Sequence, residues 1–266
     1  MPAKRGGISH TEAEWRREIE RFRPELAVPG YWDTLEENCS QWAQEVSVSP
    51  FWNAAKEKLG PWIADYRSQT GGDLLAQPGL PSFQGKGSAR IQTKLYDSHR
   101  REGSNPAIAF SSVGPPVPIL NDLVRTRVNC KFIDGVEYFT NRLSDLADEL
   151  GIPFVRSREG RIEGYFAQHF TFESDVFFRM GGVAHACRIQ CETQVATNLS
   201  TRIWEATHPI YEQARRTDEE PQNWQWDPND VRFIATQLGH MIHLADGLLV
   251  RLREAVRSET GAKRRR

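Results

Sequence analysis

The sequence predicts an α/β fold of the α+β kind, a mixed β-sheet flanked by helices, with further helices at the N- and C-terminal ends. Three observations lead there. Apolar residues recur at helical spacing through the first hundred residues, β-forming residues take over between Asp122 and Gln194, and helical spacing then returns. Gly and Pro cluster where the helical run gives way to the strands. With 39% hydrophobic and 26% charged residues over 266 positions, the chain has enough apolar surface to bury a core.

The first helix begins at a capping box, Thr11 with Glu14, and continues through Trp15, Ile19 and Phe22 until Pro24 and Pro29 end it; residues 1–30 are thus an N-terminal helix and arm. From Tyr31 to about Tyr66 the series Trp32, Leu35, Trp42, Val46, Phe51, Trp52 and Trp62 predicts two helices broken near Ser49 and Pro50. Residues 70–85, TGGDLLAQPGLPSFQG, read as a loop. The segment Ser88 to Arg101 is helical, with Lys86 just before its start and Arg90 and Lys94 one turn apart on one face.

Asp122 to Phe132, DLVRTRVNCKF, is a strand by its Val124, Val128 and Phe132. Residues 135–150 form a helix on Val136, Phe139, Leu143, Leu146 and Leu150, closed by Gly151. Strands follow around Phe154, at Tyr165 to Glu173, at Val176 to Met180 and at His185 to Gln194. A helix runs on to about Arg216. After the linker TDEEPQNWQW, a last helix from Pro228 to Val256 carries the stripe Val231, Ile234, Leu238, Met241, Leu244 with Leu248, and Leu252, expected to face the core or a dimer partner. Residues 217–266 are accordingly a C-terminal helix and basic tail.

The 34 basic and 35 acidic side chains nearly cancel, which excludes a global field drawing the protein to nucleic acid or anionic lipid. Basic runs lie only at the ends, at Lys4 and Arg5 and from Lys263 to Arg266. The start is charged throughout and lacks a signal-peptide pattern, and no window approaches membrane-spanning length, so a cytoplasmic protein without a membrane partner is expected. Cys39, Cys130, Cys187 and Cys191 suit that compartment, Cys187 and Cys191 as small core residues on one strand face.

Transfer of a phosphoryl or pyrophosphoryl group needs carboxylates to hold magnesium, cations for the phosphates and a means of orienting the acceptor hydroxyl. Asp122 opens one predicted strand and Glu192 lies near the end of another, where carboxylates can converge across a sheet. On the last strand Glu192 and Gln194 share one face and Cys187, Ile189 and Cys191 the other, leaving the polar face free. Lys86, Arg90 and Lys94 lie at a helix start, where backbone N–H groups favour phosphate. Arg125 and Arg127 share a face that strict alternation denies to Asp122, unless Asp122 precedes the regular strand. In GYFAQH, Tyr165 and His169 face the same side, and a base could stack on the tyrosine. Taken singly, these groups are also what solvated helix faces, strand ends and a core tyrosine carry.

Their order distinguishes them. KGSARIQTKL resembles K-x-x-x-S-I-x-x-K-L, NDLVRTRV resembles D-L-x-G-x-R, EGYFAQH resembles G-Y-R-S-x-H, CETQVAT resembles E-I-Q-I-R-T, and IWEATHPIYE is similar to the helix W-A-x-I-E-H-x-x-x-Y. Together they cover roughly residues 31–216 and resemble the RelA/SpoT-type (p)ppGpp synthetases, including the small alarmone synthetases and their toxin relatives. The resemblance implies a nucleotidyltransferase-like synthetase domain that moves the β,γ-pyrophosphate of ATP onto the 3′-hydroxyl of GDP or GTP, with Mg2+ as cofactor. It implies Asp122 and Glu192 as magnesium ligands, Glu192 also as general base, and Lys86, Lys94 and Arg127 on ATP phosphates. Tyr165 would stack on the acceptor base, and Gln194 and His169 would position the acceptor.

Several positions depart from the family pattern: Gln84 precedes the first Lys, Arg90 replaces Ser, Arg125 replaces Gly, Phe166 and Ala167 replace Arg and Ser, and Ala196 replaces Arg. Arg90 could restore a lost phosphate contact, being able to bind phosphate in a bidentate way. A rival register puts Arg188 in place of the acid, but the onward distance to His208 favours Glu192. These departures keep two other readings open: a toxin acting on the 3′-CCA end of tRNA, for which an antitoxin protein would be a partner, and a catalytically degenerate nucleotide-binding module. His10 is the sole His before residue 80, so the metal cluster of an alarmone hydrolase is not assembled there. His240 and His243 read as a surface pair, and a homo-oligomer is a further partner expectation for the last helix.

Overall fold

A computed structural model describes residues 12–102, 109–111, 114–160, 164–216 and 223–263. The expected cap at Thr11 and the basic residues Lys4, Arg5 and Arg264 to Arg266 lie outside these residues. In chain order the elements are α1 (Glu12–Phe22), α2 (Tyr31–Ser47), α3 (Pro50–Thr70), β1 (Gln84–Gly85), α4 (Ser88–Glu102), β2 (Val124–Cys130), α5 (Ile133–Glu149), β3 (Phe154–Gly160), β4 (Phe166–Met180), β5 (Val183–Thr197), α6 (Asn198–Arg216) and α7 (Val231–Lys263). The five strands form one mixed sheet in the order β1-β2-β5-β4-β3, flanked by helices. The chain groups into two compact units, one of Met1–Ser49, Ser82–Thr126 and Thr171–Glu192, the other of Pro50–Pro81, Arg127–Phe170 and Thr193–Arg266.

In the first unit α2 lies on the outer part of β4. Leu35, Cys39, Trp42 and Val46 recur every three or four residues and are fully buried. Trp42 Nε1 donates to the Phe177 carbonyl at 2.9 Å, and Asn38 makes paired hydrogen bonds with the Arg179 backbone at 2.9 and 2.7 Å. Phe178 fills the space between, 6.3 Å from Tyr31 and 6.1 Å from Trp42.

The second unit packs α3 on α5 through Trp62 and Phe139, edge to face at 5.9 Å, while Phe51 stacks on Phe170 of β4 at 5.9 Å. Arg253 ties α7 to this core, donating to Tyr66 Oη at 3.0 Å and Asp134 Oδ2 at 2.5 Å, with its guanidinium 4.6 Å from the Phe132 ring.

Three expectations change. The two strands read at 165–173 and 176–180 are one, β4: the polar Glu173 and Asp175 that interrupt the pattern lie on an exposed face and pair with Arg188 of β5 at 3.5 and 2.8 Å. Its hairpin partner follows through Gly181 and Gly182, both at positive φ (56° and 78°), as a two-residue turn between twisted strands requires. The α7 stripe does not face the core. Val231, Ile234, Leu238, Met241, Leu244, Leu248 and Leu252 are all exposed, whereas Ala235, Thr236 and Asp246 are buried. By length and composition alone α7 is also apolar enough to cross a membrane, contrary to the reading that no window is.

Candidate functional site

The expected site residues divide between the two units, and each group has its own geometry. In the first unit the organising event is the antiparallel pairing of β1 with β2, which sets Gln84 opposite Arg125 and Gly85 opposite Val124. Lys86 N donates to the Leu123 carbonyl at 2.8 Å, so the residue after β1 lies beside the residues before β2. Gly85 permits this: a Cβ there would fall 2.5 Å from the backbone of Cys39 in α2, a distance no side chain survives.

Asp122 therefore sits in the turn just before β2, as its place opposite Arg125 and Arg127 required. Each oxygen of its carboxylate takes one ammonium: Lys86 Nζ at 2.5 Å from Oδ2 and Lys94 Nζ at 2.7 Å from Oδ1. The Asp122 and Lys86 side chains are only 10% and 9% exposed, while Lys94 reaches in from α4 at 43%. Burial acts to raise the Asp122 pKa, but the two lysine charges prevail and hold it at about 2. Lys86 is pulled below the ordinary lysine value by burial and by the charges of Lys94 and Arg125, with Asp122 opposing.

Arg90 is exposed on the first turn of α4, with no ion pair among the described residues. The Ser88 N–H and hydroxyl both donate to Glu36 Oε2, at 2.9 and 2.7 Å. Glu36 thus caps the helix whose start was expected to favour phosphate, and this contact had no signal in the sequence.

Glu192 of β5 is buried at 7% exposure, and every residue from Cys191 to Thr197 is buried with it. The polar face of this strand is therefore not free as expected: successive residues of its second half are buried, so both of its faces are covered. Arg188, the rival for the Glu192 position, is exposed on the hairpin in its pairs with Asp175 and Glu173.

In the second unit, Arg127 of β2 donates through Nε and Nη2 to Gln194 Oε1 of β5, at 3.3 and 3.0 Å, and lies 3.5 Å from Glu205 of α6. Tyr165, just before β4, shares a hydrogen bond with His169 Nε2 at 3.0 Å. Its ring packs on Trp204 at 4.5 Å, with Ala167 and Ala196 beside it. The tyrosine is 7% exposed, so the expected stacking partner is itself a packed residue.

Gly164 explains why Gly precedes this Tyr. It has φ +80°, and its Cβ would lie 2.8 Å from Gly239 Cα and from the Thr236 carbonyl, so α7 crosses here backbone to backbone. Phe166 stacks under that helix on His243, 3.7 Å between ring centroids at 6°. His243 is thus half-buried, not half of a surface pair, and burial lowers its pKa. Asp246, one turn on, is 1% exposed, accepting from Thr197 Oγ1 at 2.5 Å and Ser200 Oγ at 3.2 Å, and burial raises its pKa. Nothing in the sequence marked it, because its partners lie in other elements.

No group of three or more His, Cys, Asp or Glu side chains that could hold a metal is found among the described residues. Asp122 and Glu192 are each buried carboxylates, the ligand type of which magnesium takes one or two before completing its shell with water and substrate phosphates.

No family model matches the chain, and no curated protein does. Solved structures do. The small alarmone synthetase 1 of Bacillus subtilis aligns over 86% of this chain and 99% of its own, with a TM-score of 0.54 and 14% identity. A GTP pyrophosphokinase family protein from Streptococcus pneumoniae aligns over 86% and 95%, with a TM-score of 0.53 and 17% identity. The protein smu.1046c of Streptococcus mutans aligns over 86% and 98%, with a TM-score of 0.53 and 14% identity. The chain has the fold of the small alarmone synthetases.

Proposed function

We propose that this chain is a magnesium-dependent pyrophosphokinase that transfers the β,γ-pyrophosphate of ATP to the 3′-hydroxyl of GDP or GTP. The observation that carries the reading is Asp122, buried, ionised and gripped by Lys86 and Lys94. A buried carboxylate between two lysines costs desolvation that a purely structural site would avoid with apolar residues. Here it keeps two cations oriented where a polyphosphate can take over as their counter-ion.

In this reading Lys86, Lys94 and Arg127 hold the ATP phosphates, with Arg90 added at the mouth of α4. Asp122 and Glu192 would hold magnesium, which supplies charge neutralisation on the transferring group. Glu192 takes the proton of the 3′-hydroxyl; that oxygen bonds to the β-phosphorus, the bond from the β-phosphorus to the bridging oxygen breaks, and AMP leaves. Tyr165, His169 and Gln194 orient the acceptor, so most of the rate enhancement comes from alignment and charge.

A second reading, nucleotide binding without transfer, draws on Phe166, Ala196 and Tyr165, which serve packing where the resemblance expects an arginine, an arginine and an open stacking face. One assay separates them: γ-labelled ATP and magnesium with GDP, GTP, ATP or bulk tRNA in separate reactions. Label on GDP or GTP, lost in Asp122→Asn, is expected. Label on tRNA alone would replace the acceptor, and ATP binding with no transfer to any acceptor would leave the binding module as the answer.

A further inference from the structure

We propose that Glu36 is a positioning residue for the clamp of Lys86 and Lys94: from α2 it fixes the first turn of α4, and thereby the distance between the two ammonium groups at Asp122. The clamp is a fact of the fold, and only the identity of its ligand, ATP, rests on the pyrophosphokinase reading.

The two lysines reach one carboxylate from different places. Lys86 precedes α4 by two residues and puts Nζ 2.5 Å from Asp122 Oδ2, whereas Lys94 lies on the second turn of that helix and puts Nζ 2.7 Å from Oδ1. From Ser88 to Lys94 the helix rises about 9 Å. A first turn that frays or tilts therefore moves one lysine relative to the other, and both bonds to Asp122 cannot keep these lengths.

That turn has no cap of its own. Ile91 N donates to the Gly87 carbonyl at 3.1 Å, so Gly87 is the N-cap and has no side chain to receive the first N–H groups. Glu36 takes the part from another helix, its Oε2 accepting from the Ser88 N–H at 2.9 Å and from the Ser88 hydroxyl at 2.7 Å. These two hydrogen bonds hold its carboxyl below the ordinary carboxylate value, so it is charged at neutral pH.

Gly87 is not glycine for want of room. A Cβ there would meet nothing nearer than Glu36 Oε1 at 3.7 Å, an ordinary contact, and its φ lies outside the left-handed region. A serine or aspartate at 87 would cap α4 locally. Capping from α2 adds what a local cap lacks, the registration of α4 against a second helix. One turn farther along α2, the Cys39 backbone lies 2.5 Å from where a Cβ of Gly85 would be. α2 thus brackets Lys86, touching the residue before it and the residue two beyond, and is itself anchored by the fully buried Leu35, Cys39 and Trp42.

The charge of Glu36 gives the proposal a sign. A carboxylate beside a polyphosphate site repels the ligand, so Glu36 either assists through the position of the lysines or works against binding.

Glu36→Ala, which removes both hydrogen bonds, and Glu36→Gln, whose amide oxygen can accept them without the charge, separate these cases in the full chain. Binding of ATP with magnesium is read by isothermal titration calorimetry, and a cycle of urea midpoints pairs each variant with Asp122→Asn. Glu36→Ala is expected to bind ATP roughly fivefold more weakly, the equivalent of one lost cap, with Glu36→Gln within about twofold of wild type. In the Glu36→Ala background Asp122→Asn should lower the midpoint by less than it does in wild type, and in the Glu36→Gln background by the same amount. Additive midpoint losses with unchanged ATP affinity make Glu36 a helix cap and no more, which overturns the proposal. Tighter ATP binding in both variants overturns it too, because the charge alone then matters. Wild type that binds no ATP removes the pyrophosphokinase reading; the positioning role is then decided by the cycle, non-additive losses supporting it and additive ones overturning it.

Discussion

Replacing Asp122 with Asn removes one charge and almost no volume, and its cost can be worked from the clamp around it. The carboxyl titrates at about 2 in the folded chain against an ordinary 3.8. At about 1.4 kcal/mol per pH unit, that difference corresponds to roughly 2 kcal/mol of favourable coupling. Most of it belongs to Lys86, because Lys94 is 43% exposed and its pairing is screened by solvent. The substitution also strands the buried Lys86 ammonium near Lys94 and Arg125, and breaking one side of a buried pair costs about 3–5 kcal/mol. A loss of about 2–4 kcal/mol is therefore expected, read as a lower urea midpoint at pH 7.

The pH dependence has a definite sign. Because the folded pKa is depressed, the contribution is full above 3.8 and is lost as pH falls toward 2, so the gap between wild type and Asp122→Asn should narrow only below about pH 4. The double variant Asp122→Asn with Lys86→Met should be more stable than Asp122→Asn alone, since no buried charge is left unpaired. Simple additivity of the two single losses, or a gap that persists unchanged at pH 3, would refute the clamp.

Gly164→Ala should lower the melting temperature by several degrees, since its Cβ would meet Gly239 Cα at 2.8 Å on a backbone with φ +80°; Gly239→Ala should do the same, and thermal melts check both. Phe166→Ala should uncover His243 and move its pKa up toward the ordinary 6.5, which imidazole proton chemical shifts can follow. Asp246 has a raised pKa, so its ionisation opposes folding as pH rises above 3.8. Asp246→Asn should therefore be the more stable protein at pH 7 and lose that advantage in acid, as measured by denaturant unfolding at the two pH values.

Local patterns carried most of the fold. The break between α2 and α3 followed from Ser49 and Pro50, and α5 ended at Gly151, which has φ +64°. Asp122 was also legible, because the alternation of Arg125 and Arg127 left it no place except just before the strand. What escaped was non-local. β1 is two residues long inside a Gly- and Pro-rich loop and has no periodicity of its own, yet its pairing with β2 is what delivers Lys86 to Asp122. The burial of every residue from Cys191 to Thr197 depends on what packs on the two faces of the sheet, which a pattern of two cannot reveal. Phe166 was visible as a departure from a motif, but its purpose appeared only with His243 stacked on it.

The contact of Gly164 with Gly239 also acts on a part of the molecule it never touches. A Cβ on either glycine would fall 2.8 Å from the α-carbon of the other, which leaves room for no other residue of α7 at the crossing. Sliding the helix by one position would swing it about 100° and bring Leu238 or His240 against Gly164. The crossing therefore works as an index mark that fixes the rotational phase of more than thirty residues, and with it the direction in which the leucines look.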